Sequence, residues 1–519
     1  MERLHDACGI VGIFARVSGE SIDVRRYLTL ALTSLQHRGQ ESAGMAVYLS
    51  DGRIASRVGM GKVREVFPDT GTGLPDTHCG IGHVRYSTTG SSCVENAGPF
   101  VVGTDPNHYE AIAVAHNGNL VNGPALRAQL PQELLISTTD SEAIALLLLH
   151  AGGPSLRERM ISIFPQLRGA YSLVILAEGK LFAMRDPWGM RPLCLGRIGE
   201  NWIIASESCA LDRLGASFVR EVEPGELITI DEQGVHSEIL IRMPRQALCV
   251  FEYIYFSDAT SRLNDRYVYP VREALGRELA REHPIEADLV VPVPDSSIPA
   301  ALGYAEASGI TYGHAIIKNR YSDRTFIKPD QRLRQLEVDL KFNLVRPKIE
   351  GARLVIVDDS IVRGNTMKRL VAALRHYGAK EIHLRSSSPP LRHPCHFGID
   401  IPQEVELVAA GRSVQEVADY IGVDSLGYLS IAGLGRAINS TERNILDDDD
   451  ETVTARLHHE FCYGCMEKKG WPFDPVGAAL SAQFIAPNRR DTVTGPPVGA
   501  DLSRPQPIDR PAVDIPLSE

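Results

Sequence analysis

The stretch 353-RLVIVDDSIVRGNTMKRLVAALRHYGAKEIHL-384 decides the fold of the chain's second half. Leu354 to Val357 is a short unbroken apolar run, the pattern of a strand covered on both faces. Asp358 and Asp359 stand where that strand ends. Ser360 to Thr366 reads as a loop, a helix starts near Met367, Gly378 ends it, and a second apolar strand follows. This is one βαβ unit, and such units carry ligand groups at the carboxyl end of the strand. Gly364, Asn365 and Thr366 can offer backbone N–H groups and a hydroxyl at a helix N-terminus, a seat for an anion. Adjacent carboxylates can hold sugar hydroxyls or a hard cation. Asp-Asp alone is an ordinary acidic turn before a helix. The whole order, strand, Asp-Asp, Arg-Gly-Asn-Thr, helix, points to a phosphorylated sugar.

The same stretch resembles the phosphoribosyl-diphosphate (PRPP) loop of type I phosphoribosyltransferases. Two neighbours agree with the resemblance. VVPVPDSSI (290–298) is another strand ending in a polar loop, where that fold places its pyrophosphate loop. KNRYSDRTFIKPDQRLR (318–334) is basic with few apolar anchors. Alone it reads as a solvated loop; beside a polyanionic substrate it resembles the flap that closes over PRPP. The resemblance implies PRPP contacts from Asp358, Asp359, Ser360, Arg363, Gly364, Asn365, Thr366, Lys318, Arg320 and Arg324. It also implies a magnesium ion near Ser296, Asp358 and Asp359.

Upstream, the grammar differs. Residues 8–240 hold short apolar strands broken by Gly, Asn and Asp, such as GIVGIF, AIAVAHNGN and SLVILA, with two helix-like stretches between them. That predicts a layered α+β domain with antiparallel sheets. From 241 to 475 longer helices alternate with apolar strands, an α/β pattern with a parallel sheet. Residues 476–519 are rich in Pro, Asp, Arg and Thr with few large apolar side chains, which predicts a disordered tail.

The chain opens MERLHDACGIVGIF, so Cys8 heads the first predicted strand. A thiolate is a strong nucleophile. If the bond between Ala7 and Cys8 is cut, Cys8 gains a free α-amine of pKa roughly 8, a suitable base near neutral pH. Arg85 in GHVRYSTTG could clamp a carboxylate. Asn117 and the Gly118 amide in AHNGNL could form an oxyanion pair, and Asp140 in STTDSEA could hold an ammonium. Each has an ordinary alternative: a buried cysteine, a hairpin turn, a helix cap. Together with CGIVG (8–12) and LQHRGQESAGM (35–45) they resemble the class II glutamine amidotransferases, the N-terminal-nucleophile family with its four-layer αββα fold. That resemblance implies that Arg85 and Asp140 bind glutamine, that Asn117 and Gly118 hold the oxyanion, and that MERLHDA (1–7) is a propeptide.

A glutaminase followed by a PRPP-binding domain resembles the amidophosphoribosyltransferase family over about residues 1–475. The resemblance implies the first step of purine (IMP) synthesis: glutamine, PRPP and water become 5-phosphoribosylamine, glutamate and pyrophosphate, with ammonia passed between sites. It further implies a homo-oligomer, usually a tetramer, inhibited by purine nucleotides. A regulatory PRPP-binding protein with an inactive glutaminase domain would lack one of Cys8, Arg85, Asn117 or Asp140, and all four are present.

Nine cysteines in 519 residues are no disulfide scaffold. Cys462 and Cys465 form CxxC, with Cys249 and Cys395 distant in sequence. Four thiolates of this kind suit a structural zinc or an iron–sulfur cluster. The four positions resemble the [4Fe–4S] ligands of the cluster-bearing, propeptide-bearing branch of the family. Cys79, Cys93, Cys194 and Cys209 read as ordinary buried residues. A net charge of −11 gives nucleic-acid binding no general support. No apolar run reaches membrane-spanning length and the leader lacks signal-peptide features, so the expectation is a cytoplasmic protein.

Overall fold

The computed structural model describes residues 8–17, 22–68, 71–86, 92–103, 111–319, 342–400, 403–440 and 448–475. The expected propeptide, the expected tail, and Arg320 and Arg324 of the expected flap lie outside these residues.

In the first half two antiparallel sheets face each other. The seven-stranded sheet centres on Gly9–Phe14, which pairs with Asn201–Ala205 on one side and Cys79–Arg85 on the other. The six-stranded sheet centres on Gly169–Ala177 and Lys180–Arg185, with Ile112–Leu120 beside the former. Between the sheets Ile10, Phe14, Ile81, Ala115, Val174 and Leu181 are all sequestered from solvent. Their alternation along each strand explains why each strand has an inner and an outer face. Helices Val24–Ser34 and Ser208–Leu214 cover the outside of the first sheet. Helices Asp140–His150 and Leu156–Ile163 cover the second. The order is helix, sheet, sheet, helix, the four layers expected for this half.

The second half is built on a four-stranded parallel sheet of Leu289–Pro292, Arg353–Asp358, Glu381–Ser386 and Ser425–Tyr428. Val355 and Val357 pack toward helices Val268–Glu282 and Ile298–Ser308. Leu354 and Ile356 pack toward helices Asn365–His376 and Val414–Ile421. This two-sided burial is why the strand reads as a continuous apolar run. Met367, Leu370, Val371 and Leu374, spaced i, i+3, i+4, i+7, form the buried stripe of helix Asn365–His376. The helix begins two residues before the expected Met367, because Gly364 serves as its N-cap in the left-handed region at φ +77°. A two-residue parallel ladder, Leu248–Cys249 with Phe461–Cys462, returns the C-terminal segment to the start of this half. Among the described residues no helix is long and apolar enough to cross a membrane.

Candidate active sites

The first constellation lies at strand ends of the two facing sheets. Cys8 is buried at the head of Gly9–Phe14. One step beyond the Gly9–Val84 pair, the ladder brings it alongside Arg85, also buried. The Cys8 carbonyl accepts a hydrogen bond from Arg38 Nε at 3.3 Å. Arg38 in turn ion-pairs with Glu207 and, at 2.9 Å, with Glu252, and all three side chains are closed off from solvent. Buried charges persist only when paired and hydrogen-bonded, so this network fixes the backbone at Cys8. It also crosses from the first sheet to the segment beyond residue 240.

Asn117 and Gly118 sit on Ile112–Leu120 in the other sheet. Asn117 is fully buried, yet neither its Oδ1 nor its Nδ2 has a hydrogen-bond partner among the described residues. A buried amide in that condition is costly to a fold. Gly118 adopts φ +150°, and a Cβ there would lie 2.0 Å from the Ala170 carbonyl oxygen, so only glycine fits. Thr139 caps helix Asp140–His150 by accepting the Glu142 N–H at 3.3 Å. This turns Asp140 toward the strand, where its Oδ2 accepts the Leu120 N–H at 2.8 Å and its Oδ1 lies 3.6 Å from His116 Nδ1. Burial opposes the charge of Asp140, but the neighbouring His116 and these hydrogen bonds hold its carboxyl below the usual range. His83, two residues before Arg85, is pushed down to about 3 by burial and then by the Arg85 and His116 charges.

The second constellation lines a cleft at the carboxyl end of Arg353–Asp358. Asp358, Asp359, Ser360, Gly364 and Thr366 face it. Asp359 accepts from Ser296 Oγ at 2.5 Å and from Ser360 Oγ at 2.8 Å, which joins the loop after Leu289–Pro292 to the aspartate pair. Arg363 and Asn365 do not line the cavity. Arg363 pairs with Glu406 at 2.8 Å, and Asn365 accepts a hydrogen bond from Tyr420. Lys318 lies at the start of the expected flap and pairs with Asp295 at 2.6 Å.

Cys249, Cys395, Cys462 and Cys465, from three separate segments, line one mostly apolar cavity with Arg191, Phe397 and Trp471. Burial first, and then the neighbouring thiols, push the Cys249, Cys462 and Cys465 thiols up, Cys462 to about 12. Of the other cysteines, Cys79, Cys194 and Cys209 are buried, but Cys93 is half-buried because it precedes the short surface turn Val94–Asn96. Among the described residues no three His, Cys, Asp or Glu side chains converge closely enough to hold a single metal ion.

The first constellation and the cysteine cavity are joined. The loop carrying Cys395 lies against the Asn117 strand: Asn119 Nδ2 donates to the His396 carbonyl at 2.9 Å, and Arg191 Nη2 donates to the Phe397 carbonyl at 2.8 Å. Sequence reading assigned no role to Arg38, His116, Arg191, Glu207 or Glu252. Arg38 lay within a motif already quoted, while the others gain meaning only through partners far away in the chain.

A four-layer double-sheet domain fused to a parallel-sheet domain with a cavity at its strand ends is the architecture of a glutamine amidotransferase joined to a phosphoribosyltransferase. Residues 96–213 match the family model of a glutamine amidotransferase domain, and residues 269–387 that of a phosphoribosyl transferase domain. An amidophosphoribosyltransferase of Archaeoglobus fulgidus is 46% identical over 437 residues, covering 83% of this chain and 93% of the relative. One of Mycobacterium tuberculosis is 43% identical over 495 residues, 92% of this chain and 89% of the relative. The solved glutamine PRPP amidotransferase of B. subtilis, complexed with ADP and GMP, superposes with a TM-score of 0.81 at 40% identity, covering 91% of this chain and 99% of that one. The chain belongs to the amidophosphoribosyltransferase family, and it is a transferase of purine biosynthesis.

Proposed function

We propose that Cys8, with its α-amine freed by cleavage after Ala7, is the glutaminase nucleophile and base of a two-site enzyme that makes 5-phosphoribosylamine. Arg85 takes the glutamine α-carboxylate and Asp140 its α-ammonium. The Cys8 sulfur attacks the side-chain amide carbon while the amine accepts the thiol proton. The Asn117 Nδ2–H and the Gly118 N–H donate to the oxyanion, which accounts for an amide left without partners in the core. Collapse breaks the C–N bond, releasing ammonia, and water then hydrolyses the thioester to glutamate. At the second site ammonia attacks the ribose C1, the C1–O bond breaks, and pyrophosphate leaves with the bonding pair. The ammonium so formed then loses a proton.

Asp358, Asp359 and Ser296 would hold a magnesium ion, which neutralises pyrophosphate charge when bound. Two carboxylates and a hydroxyl are hard oxygen donors, and Mg²⁺ is usually held by one or two carboxylates together with substrate phosphates. That accords with the lack of a complete protein-only metal group among the described residues. The four cysteines suit a [4Fe–4S] cluster better than zinc. All four line one mostly apolar cavity, and their positions resemble those of the thiolate ligands of such a cluster in the propeptide-bearing branch of the family. Its role would be structural, tying the C-terminal segment and the Cys395 loop to the Cys249 strand. The reading carries with it purine-nucleotide feedback and a homotetramer in the cytoplasm. The ADP and GMP in the B. subtilis relative support the first of these.

The observation that carries the two-site reading is the contact of the Cys395 loop with Asn119 and Arg191, which places phosphoribosyl-half backbone against the oxyanion strand. One anaerobically purified sample tests its chemistry. Intact-mass and N-terminal analysis should show a chain beginning at Cys8. Metal analysis should show about four iron and four sulfide per chain, with the broad visible absorbance of a cluster. An active protein beginning at Met1 or Glu2 would refute the nucleophile's activation, and zinc without iron would refute the cluster.

A further inference from the structure

We propose that Tyr420 is a positioning residue of the phosphate loop, holding Asn365 so that Gly364 and Thr366 on either side of it face the cavity. The proposal rests on the reading of that cavity as the PRPP site. Tyr420 closes helix Val414–Ile421, which packs beside helix Asn365–His376. Its hydroxyl donates to Asn365 Oδ1 at 2.7 Å. Asn365 is the first residue of its helix, and its side chain is turned to Tyr420 while its two chain neighbours line the cavity.

The tyrosine ring supports the same turn in two further ways. A Cβ at Gly364 would lie 3.4 Å from Tyr420 Cε1, so the ring lies against the left-handed glycine. Lys368 Nζ, one helical turn beyond Gly364, sits 4.3 Å from the ring centroid, and the Arg412 guanidinium sits 5.7 Å from it. Both are within cation–π range. A glycine at φ +77° is conformationally permissive, so a loop that must hold N–H groups on a phosphate gains from an outside brace. Tyr420 supplies one from a different helix. Because it touches the loop and does not line the cavity, it acts through Asn365 and not on the substrate.

The test uses the full-length enzyme with ammonia as nitrogen donor. Tyr420→Phe keeps the ring and removes the hydroxyl. The KM for PRPP should rise roughly five- to tenfold, the worth of one hydrogen bond, with kcat within about twofold; in a parallel glutamine-driven assay the KM for glutamine should be unchanged. In an Asn365→Ala background the same substitution should have no further effect on the PRPP KM, since the partner is already gone. A PRPP KM within about twofold of the parent, or an effect that persists undiminished without Asn365, would overturn the proposal. A parallel Asp358→Asn, Asp359→Asn variant separates the two readings. Retained synthesis there sinks the PRPP site itself. Loss there with a silent Tyr420→Phe sinks only the role of Tyr420.

Discussion

Cys8→Ala should leave a folded enzyme that makes 5-phosphoribosylamine from ammonia but not from glutamine. Glutamine-dependent synthesis should fall by roughly a thousandfold or more, since removal of a nucleophile that works as a unit with its base forfeits most of the catalysis. Ammonia-dependent synthesis should stay within about threefold of the parent, because effects at independent, well-separated sites do not couple strongly. The alanine side chain fits a site that is already buried, and the Arg38 contact is to the Cys8 carbonyl, which the substitution keeps. The residual fold should therefore be sound. Parallel steady-state assays with each nitrogen donor check this. Equal loss of both activities in a folded protein would contradict two separate sites. The intact enzyme should also lose glutaminase activity, read as glutamate release, as pH falls below the α-amine pKa of roughly 8.

The second large effect falls at the aspartate pair. Asp358→Asn with Asp359→Asn should abolish synthesis from either donor, by on the order of 10² to 10³ or beyond. Both side chains are buried at the end of a core strand and face the cavity with Ser360, Gly364 and Thr366. The asparagines keep the size and hydrogen-bonding capacity of the carboxylates and remove the negative charge that magnesium and ribose hydroxyls would meet. Pyrophosphate release with ammonia as donor, measured on protein whose thermal unfolding matches the parent, is the readout. Turnover retained within tenfold would disprove their role at PRPP.

Much of this was legible in the chain itself. The Leu354–Val357 run is apolar on both faces because helices cover both, and the Met367, Leu370, Val371, Leu374 spacing follows from one buried helical stripe. That Asp358, Asp359, Gly364 and Thr366 share one site was readable because the residues that line this cavity lie close together in sequence. What was not legible is what long-range topology creates. Cys8 and Arg85 meet through a strand ladder, and Glu252 reaches Arg38 from 214 residues away. Asn365 reads as one more loop ligand, and only the packing of two helices shows that its side chain belongs to Tyr420. The Cys93 position was misjudged for a related reason: burial there depends on how a surface turn lies, which spacing does not encode.

The central claim is that nitrogen freed at Cys8 reaches the PRPP site without mixing with solvent. At neutral pH bulk ammonia is mostly ammonium and not nucleophilic, so transfer through a dry route should outcompete it. The direct measurement supplies glutamine labelled with ¹⁵N in its side-chain amide, together with PRPP, magnesium and unlabelled ammonium. The 5-phosphoribosylamine formed, trapped and weighed by mass spectrometry, should carry predominantly ¹⁵N even when ammonium matches glutamine in concentration. Product labelled only in proportion to the ¹⁵N of the mixed bulk pool would contradict the account.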